Sequence, residues 1–241
     1  MATPLDSPLT FTNVGKAKWW RSGFFASQTG YVLLALGTLF VVMNFASPYF
    51  LTQSNLQNVA KNFSFIAIAT LGVTFVIITG GIDLSVGSVM CFSAMITSMV
   101  MTSISTPGMP GAEWFVHLAD DGKTVIANVP GLILLISALA GLGVALLVGL
   151  VNGFCIAVLG LSPFVTTLGM LSIVRGLGYV VSNGRGSFPS GPEAGYFYTL
   201  TSGVVFGLPA PFIYLVVLAA AMAVVLHHPG VGRPVSALGG N

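Results

Sequence analysis

Charge is what this sequence most lacks. Of its 241 residues eight are Lys or Arg and six are Asp or Glu, which is 6%, against about 25% in ordinary soluble domains. A soluble globule of this size needs charge spread over its surface, so a soluble enzyme is excluded. Disorder is excluded from the other side: 55% of the residues are hydrophobic, and disordered chains are poor in apolar residues. No basic patch with interleaved aromatics is present and the net charge is only +2, so nucleic-acid binding has no support. Cysteine is scarce as well, and both Cys91 and Cys155 fall in apolar runs, where they read as small hydrophobes. The histidines, His117, His227 and His228, have no metal-site spacing to any carboxylate. Glycine and proline are plentiful, at 30 and 13 residues, and both are commoner in membrane helices than in soluble ones. With a mean hydropathy of +0.95, the composition is that of a membrane protein.

The few charges separate long uncharged stretches. Asp6, Lys16, Lys18 and Arg21 precede residue 22, Lys61 ends the first uncharged run, and Asp83 is the single charge in 62–112. Glu113, Asp120, Asp121 and Lys123 form a cluster; 124–174 is uncharged; Arg175, Arg185, Glu193 and Arg233 complete the set. A membrane helix needs about 20 mostly apolar residues. Gly30–Phe50 supplies one span, and Asn62–Ser103 supplies two with a Gly-Gly break between them. Pro130–Val181 supplies two more, divided near Asn152-Gly153 and Ser162-Pro163, and Leu208–His227 is the sixth. The expected fold class is all-α, a polytopic membrane helix bundle of six spans. Lys16, Lys18 and Arg21 place the N-terminus in the cytoplasm, and six crossings return Arg233 to the same side. The expected organisation is a cytoplasmic segment 1–29, a transmembrane domain 30–228 with external loops at 104–129 and 183–207, and a cytoplasmic segment 229–241. The N-terminus is not a secretory signal peptide, because the apolar run is too long and lacks a clear small-x-small cleavage site.

The breaks carry the candidate functional residues. Gly80-Gly81-Ile82-Asp83-Leu84-Ser85 runs from one apolar stretch straight into the next. Backbone freed inside a membrane must be buried in protein or line a cavity, and glycine-broken spans are a pointer to a transport pathway. Asp83 has two readings: a cap on the following helix N-terminus, or a group that touches solute or gates its passage. Gly141, Ala145, Gly149 and Gly153 make a small-residue row for close helix packing. Ser162-Pro163 reads as an N-cap followed by proline at the first helical position. Arg175 lies well inside the fifth span; an intramembrane Arg is a functional candidate, and snorkelling to the outer interface is the other reading. Phe188, Tyr196, Phe197 and Tyr198 in the second external loop belong to an interfacial belt or to a docking surface.

Catalytic patterns fail on inspection. Gly122-Lys123-Thr124 looks like the tail of a nucleotide-binding loop, but the glycine needed five residues earlier is His117. Asp83 is the single membrane aspartate and is preceded by Ile82, which does not suit an intramembrane aspartyl protease. Ser85 has Asp83, not glycine, two residues before it, so no nucleophile elbow is present. The reading is of a protein that is not an enzyme.

Three segments together resemble one family. They are Gly80-Gly81-Ile82-Asp83-Leu84-Ser85-Val86-Gly87-Ser88, then Pro163-Phe164-Val165-Thr166-Thr167-Leu168-Gly169-Met170 with Arg175-Gly176, then Gly232-Arg233 followed by Ala237-Leu238-Gly239-Gly240-Asn241. Their order and spacing are similar to those of the permease subunits of ribose-, galactose- and xylose-type sugar ABC importers, from Tyr31 onward. The Asn152-Gly153 pair fits as well; His227-His228-Pro229-Gly230 departs from the basic residues common there. The resemblance implies a permease that moves a monosaccharide or polyol across a bacterial plasma (inner) membrane. Its implied partners are an ABC ATPase subunit, an extracytoplasmic sugar-binding protein, a second permease copy and the lipid bilayer, with no nucleic acid. No cofactor is expected on this chain, ATP being bound by the partner subunit.

Asp83, Gly80, Gly81, Ser85, Arg175 and Asn152 become candidates for the translocation path or its gate. Gly232, Arg233, Gly239, Gly240 and Asn241 become the ATPase-coupling region. Members of that family continue beyond the equivalent of Asn241. The resemblance therefore implies roughly the N-terminal two-thirds of a permease, with the expectation that this form inserts but neither holds its ATPase nor supports uptake. A passive channel or secondary carrier is the alternative in another class, and a non-transporting or degenerate membrane protein a third.

Overall fold

With no water to compete, a lipid-buried backbone closes its hydrogen bonds within each apolar stretch, and helix is the result. The computed structural model describes residues 28–239. The cluster Asp6, Lys16, Lys18 and Arg21, and Gly240 and Asn241 at the other end, lie outside the described residues. The helices are α1 (Gln28–Ala46), α2 (Gln53–Ile78), α3 (Val86–Ser105), α4 (Leu132–Ala157), α5 (Pro163–Ser182), α6 (Ala194–Ser202), α7 (Ala210–His227) and α8 (Pro229–Gly239). Two small antiparallel hairpins pair β1 (Val116–Leu118) with β2 (Val125–Ala127) and β3 (Val204–Val205) with β4 (Leu208–Pro209). Six helices, α1 to α5 and α7, are long and apolar enough to cross a membrane. The chain is the all-α polytopic bundle its sequence predicts.

Two boundaries differ from the expectation. Helix α2 starts at Gln53 and takes in Lys61, and α4 runs through Asn152-Gly153 to Ala157, so that the chain breaks only at 158–162. Asn152 does not interrupt α4 because its side chain reaches another segment instead of its own backbone.

The chain divides into two units, residues 1–56 and 57–241. In the first, α1 leads into a turn where Thr52 Oγ1 donates to Tyr49 O at 2.8 Å and Asn55 Nδ2 to Phe50 O at 2.7 Å. The Phe40 and Phe50 rings meet edge to face there, with centroids 5.0 Å apart.

In the second unit α3 packs on both α4 and α5. The tightest approach is at Gly141, where a Cβ would meet Ser93 O at 2.8 Å and collide with Thr97 Oγ1. Ser93 Oγ donates to Gly141 O at 2.7 Å. Of the glycines in the small-residue row, Gly141 alone serves helix packing; Gly149 and Gly153 face open space. The distribution of side chains is the reverse of a soluble core. Ser64, Ser88, Ser98, Ser137 and Thr167 are buried, while Leu142, Leu146 and Leu150 on α4 are exposed, as in bundles whose small and polar residues face inward and whose leucines meet lipid.

The two polar loops are ordered. In 104–129, Met101, Ala112, Val116 and Ile133 form a small buried cluster between the hairpin and the ends of α3 and α4, with Phe197 of α6 packed on it. The β1–β2 turn is fastened by Asp121, whose Oδ1 accepts from the amides of Lys123 at 2.9 Å and Thr124 at 2.8 Å, while Oδ2 accepts from the Thr124 hydroxyl. These bonds, those of Thr124 first, hold its carboxyl below the usual carboxylate range. In 183–207, Glu193 starts α6 with its carbonyl, to which Phe197 N donates. Its buried carboxylate accepts from Gly131 N at 2.5 Å and Leu134 N at 2.8 Å, satisfying two free amides at the start of α4.

Candidate functional site

Helix α2 ends at Ile78 because Gly80 follows with φ +79°, the left-handed residue that closes many helix C-termini. Gly80 N and Gly81 N donate back to Ile77 O and Val76 O, both at 2.9 Å. Residues 82–84 then cross to α3 without helical bonding, and the polar groups of the crossing are met by side chains. Asp83 Oδ1 accepts from Ser85 N at 2.8 Å and from Ser85 Oγ at 2.7 Å. Ser85 Oγ in turn accepts from Asn152 Nδ2 of α4 at 3.1 Å. On the other side, Leu84 N donates to Thr167 Oγ1 of α5 at 3.1 Å. The Thr167 hydroxyl donates to Pro163 O at 2.9 Å, with Ile82 O at 3.3 Å. Ser85, Asn152 and Thr167 are buried. A polar knot thus ties the break to two helices.

The cap reading of Asp83 is modified by this geometry. Its carboxylate does bond at the start of α3, but to the amide of Ser85, the N-cap residue itself, and not to the first free amides of the helix. Ser85 makes no side-chain cap bond, because its hydroxyl is held by Asp83. Ser162 likewise precedes α5 without a side-chain cap bond, although Pro163 takes the first helical position as expected.

Two cavities flank the knot. The first, about 600 Å³, is lined by Gly80, Gly81, Asp83, Asn152 and Thr167, with Gly149 and Gly153 leaving room on α4. The Asn152 Oδ1 atom is buried without a hydrogen-bond partner, and an orphaned buried acceptor calls for a ligand or water. The second cavity, about 380 Å³, lies between α3 and α5 and is lined by Ser88, Phe92, Arg175, Tyr179 and Arg185. Ser88 Oγ donates to Ser85 O at 2.7 Å, so this cavity reaches the knot from the α3 side. Along α5 the two are stacked: Thr167 lines one and Val174 the other, about 10 Å apart at 1.5 Å per residue.

The structure therefore brings Gly80, Gly81, Asp83, Ser85 and Asn152 into one constellation and sets Arg175 in the adjoining cavity. Of the region expected to couple to an ATPase, Gly232 and Arg233 line a separate shallow cleft between α7 and α8. Gly239 lies against the end of α2, where any Cβ would collide with Ile78 O, and Leu238 lines the first cavity. Sequence reading missed Thr167, Arg185 and Glu193 as site or anchoring residues. Thr167 had a signal, a hydroxyl in an apolar run just after a predicted helix start. The partners of Glu193 lie about sixty residues away in the chain, and it had none.

Residues 55–241 match the family described as branched-chain amino acid transport system / permease component. The chain is 34% identical over 209 residues to a probable ABC transporter permease protein of Sinorhizobium fredii, covering 86% of this chain and 51% of that protein. It is 32% identical over 210 residues to the ribose import permease protein of Escherichia coli strain K12, covering 87% and 57% of the two. Against the galactose/methyl galactoside import permease protein of the same strain it is 29% identical over 219 residues, covering 89% and 60%. The matched part of the chain spans 51–60% of the length of these relatives. No solved structure matches. The match begins in α2 and takes in every residue of the knot and of both cavities, and the chain accordingly belongs to this permease family of ABC-type transport systems, as a multi-pass membrane protein.

Proposed function

We propose that this chain is the transmembrane subunit of an ATP-driven importer that moves a monosaccharide or related polyol into the cytoplasm across a bacterial inner membrane. The observation that carries the proposal is the buried knot Asp83–Ser85–Asn152–Thr167 set between two stacked cavities. Each cavity has the volume of a small-molecule site, and the knot closes the way between them. The Asp83 carboxylate has acceptor capacity left and lines the cavity together with Gly80, Gly81 and the amide side chain of Asn152. Hydroxyl-rich solutes are what such groups recognise, and the names of the E. coli relatives agree.

ATP is hydrolysed on a separate ATPase subunit, an external binding protein delivers the sugar, and a second permease copy completes the pore. In this reading the N-terminus and α8 face the cytoplasm, and loops 104–129 and 183–207 face outward. Because the end of α8 rests on the Gly80-Gly81 break, a push on α8 by the ATPase is felt next to Asp83.

The test is Asp83→Asn in cells carrying the complete transport system. Asn keeps an acceptor oxygen for Ser85, so the cost is the difference between charged and neutral hydrogen bonds, about 2 kcal/mol over two bonds. The expected outcome is normal abundance in the membrane with impaired ATP-dependent uptake of labelled ribose or galactose. Normal uptake at normal abundance refutes the role of Asp83, and loss of the protein itself assigns the residue to structure alone.

A further inference from the structure

We infer that the cavity between α3 and α5 binds the carboxylate of an acidic monosaccharide, so that the solute is a sugar acid in preference to a neutral sugar; this rests on the monosaccharide reading above. Arg175, on α5, and Arg185, just past its end, line this one cavity. No Asp or Glu lines it. Among the described residues neither guanidinium makes an ion pair or hydrogen bond. The acids are engaged or distant in the fold: Asp83 holds Ser85, Glu193 holds the first turn of α4, and Glu113, Asp120 and Asp121 belong to the hairpin loop.

Arg175 stands seven residues before the end of α5, about 10 Å in from that end. An Arg at such a depth is costly unless paired. A guanidinium does not lose its proton, and its fork matches a carboxylate with two parallel hydrogen bonds. A ligand that brings one negative charge therefore gains from both residues what a neutral ligand cannot. The rest of the lining suits a sugar ring: the hydroxyls of Tyr179 and Ser182 for its hydroxyl groups, and the Phe92 ring for its apolar edge.

The probes are radiolabelled D-galacturonate and D-galactose, which differ only in a carboxylate in place of a primary alcohol. Binding is measured on the purified chain in phosphatidylcholine nanodiscs. Galacturonate binds roughly tenfold more tightly, the worth of making one hydrogen bond charge-assisted. Arg185→Gln and Arg175→Gln each shrink that preference to roughly threefold or less. Arg185→Lys keeps most of it, and Lys123→Gln, far from the cavity, keeps all of it. Equal affinity for the two sugars overturns the inference and leaves the monosaccharide reading standing. Binding of neither overturns both. A preference that survives both Gln variants overturns the site. Loss of galacturonate binding on adding phosphatidylglycerol to the nanodisc assigns the arginines to a lipid headgroup and overturns it too.

Discussion

Replacing Glu193 by Gln removes a charge that no cation answers among the described residues, and the structure says the replacement weakens the protein. Glu193 is 1% exposed, and its oxygens lie 2.5 Å from Gly131 N and 2.8 Å from Leu134 N. Gln retains one oxygen and turns the other position into a donor facing a donor. One charge-assisted bond is lost, about 1.5–3 kcal/mol. The attraction of the carboxylate to the positive end of α4 is lost with it, up to ~2 kcal/mol in a buried setting. Part of this is returned because a neutral amide is easier to bury than a carboxylate. The net is about 2 kcal/mol, a factor of roughly 30 in the local opening equilibrium. Hydrogen exchange followed by mass spectrometry on the peptide spanning residues 129–136 reads this directly. The amides of Gly131 and Leu134 exchange about 30-fold faster in the variant, with the central turns of α4 unchanged. Exchange at the same rate as in the parent chain refutes the assignment of Glu193 as the anchor between the second polar loop and α4.

Gly141→Val drives a branched side chain into Ser93 and Thr97, where even a Cβ has no room. A loss of about 3 kcal/mol is expected, seen as a lower melting temperature in detergent, while Gly143→Val, with open space at its Cβ, melts like the parent; equal melting of the two variants would sink the packing account. For orientation, Asp121→Cys and Arg233→Cys in a background lacking Cys91 and Cys155 are treated with an impermeant thiol reagent. Labelling at 121 in intact cells, and at 233 only after permeabilisation, is expected; the opposite pattern overturns the topology.

The spans and their main breaks were legible because they depend on quantities a sequence displays openly: runs of apolar residues, and Gly80 and Pro163 where a helix must end or begin. The loops were legible only as loops. Strands of two or three residues are too short to show alternation, and β1 and β2 exist because Asp121 and Gly122 turn the chain and the cluster around Met101 covers it. An Asp-Gly pair is a hairpin signal, but in a polar, acidic stretch it did not stand out. The knot was half legible. Asp83, Ser85 and Asn152 were chosen for lying at breaks or in motifs, yet the break expected at Asn152 is absent, and what joins that residue to the knot is the side-chain reach that left α4 intact. Thr167 enters through a cross-helix bond to Leu84 that no local pattern encodes. Arg175 and Arg185 are ten positions apart in sequence, and only the end of α5 and the turn after it put them on one cavity.

Helices α3 and α4 are fastened to each other at two heights. Ser93 grips Gly141 at one level, and Ser85 meets Asn152 at the other. Those levels are about 12 Å apart along α3 and about 16 Å apart along α4. Two clamps so separated act as a splint: sliding or rolling one helix on the other breaks both at once, whereas a single clamp would serve as a pivot. Helix α5, by contrast, meets the α2–α3 break through the one hydroxyl of Thr167. Mechanical compliance in this region is therefore concentrated on the α5 side, and α3 with α4 moves as a single lever arm.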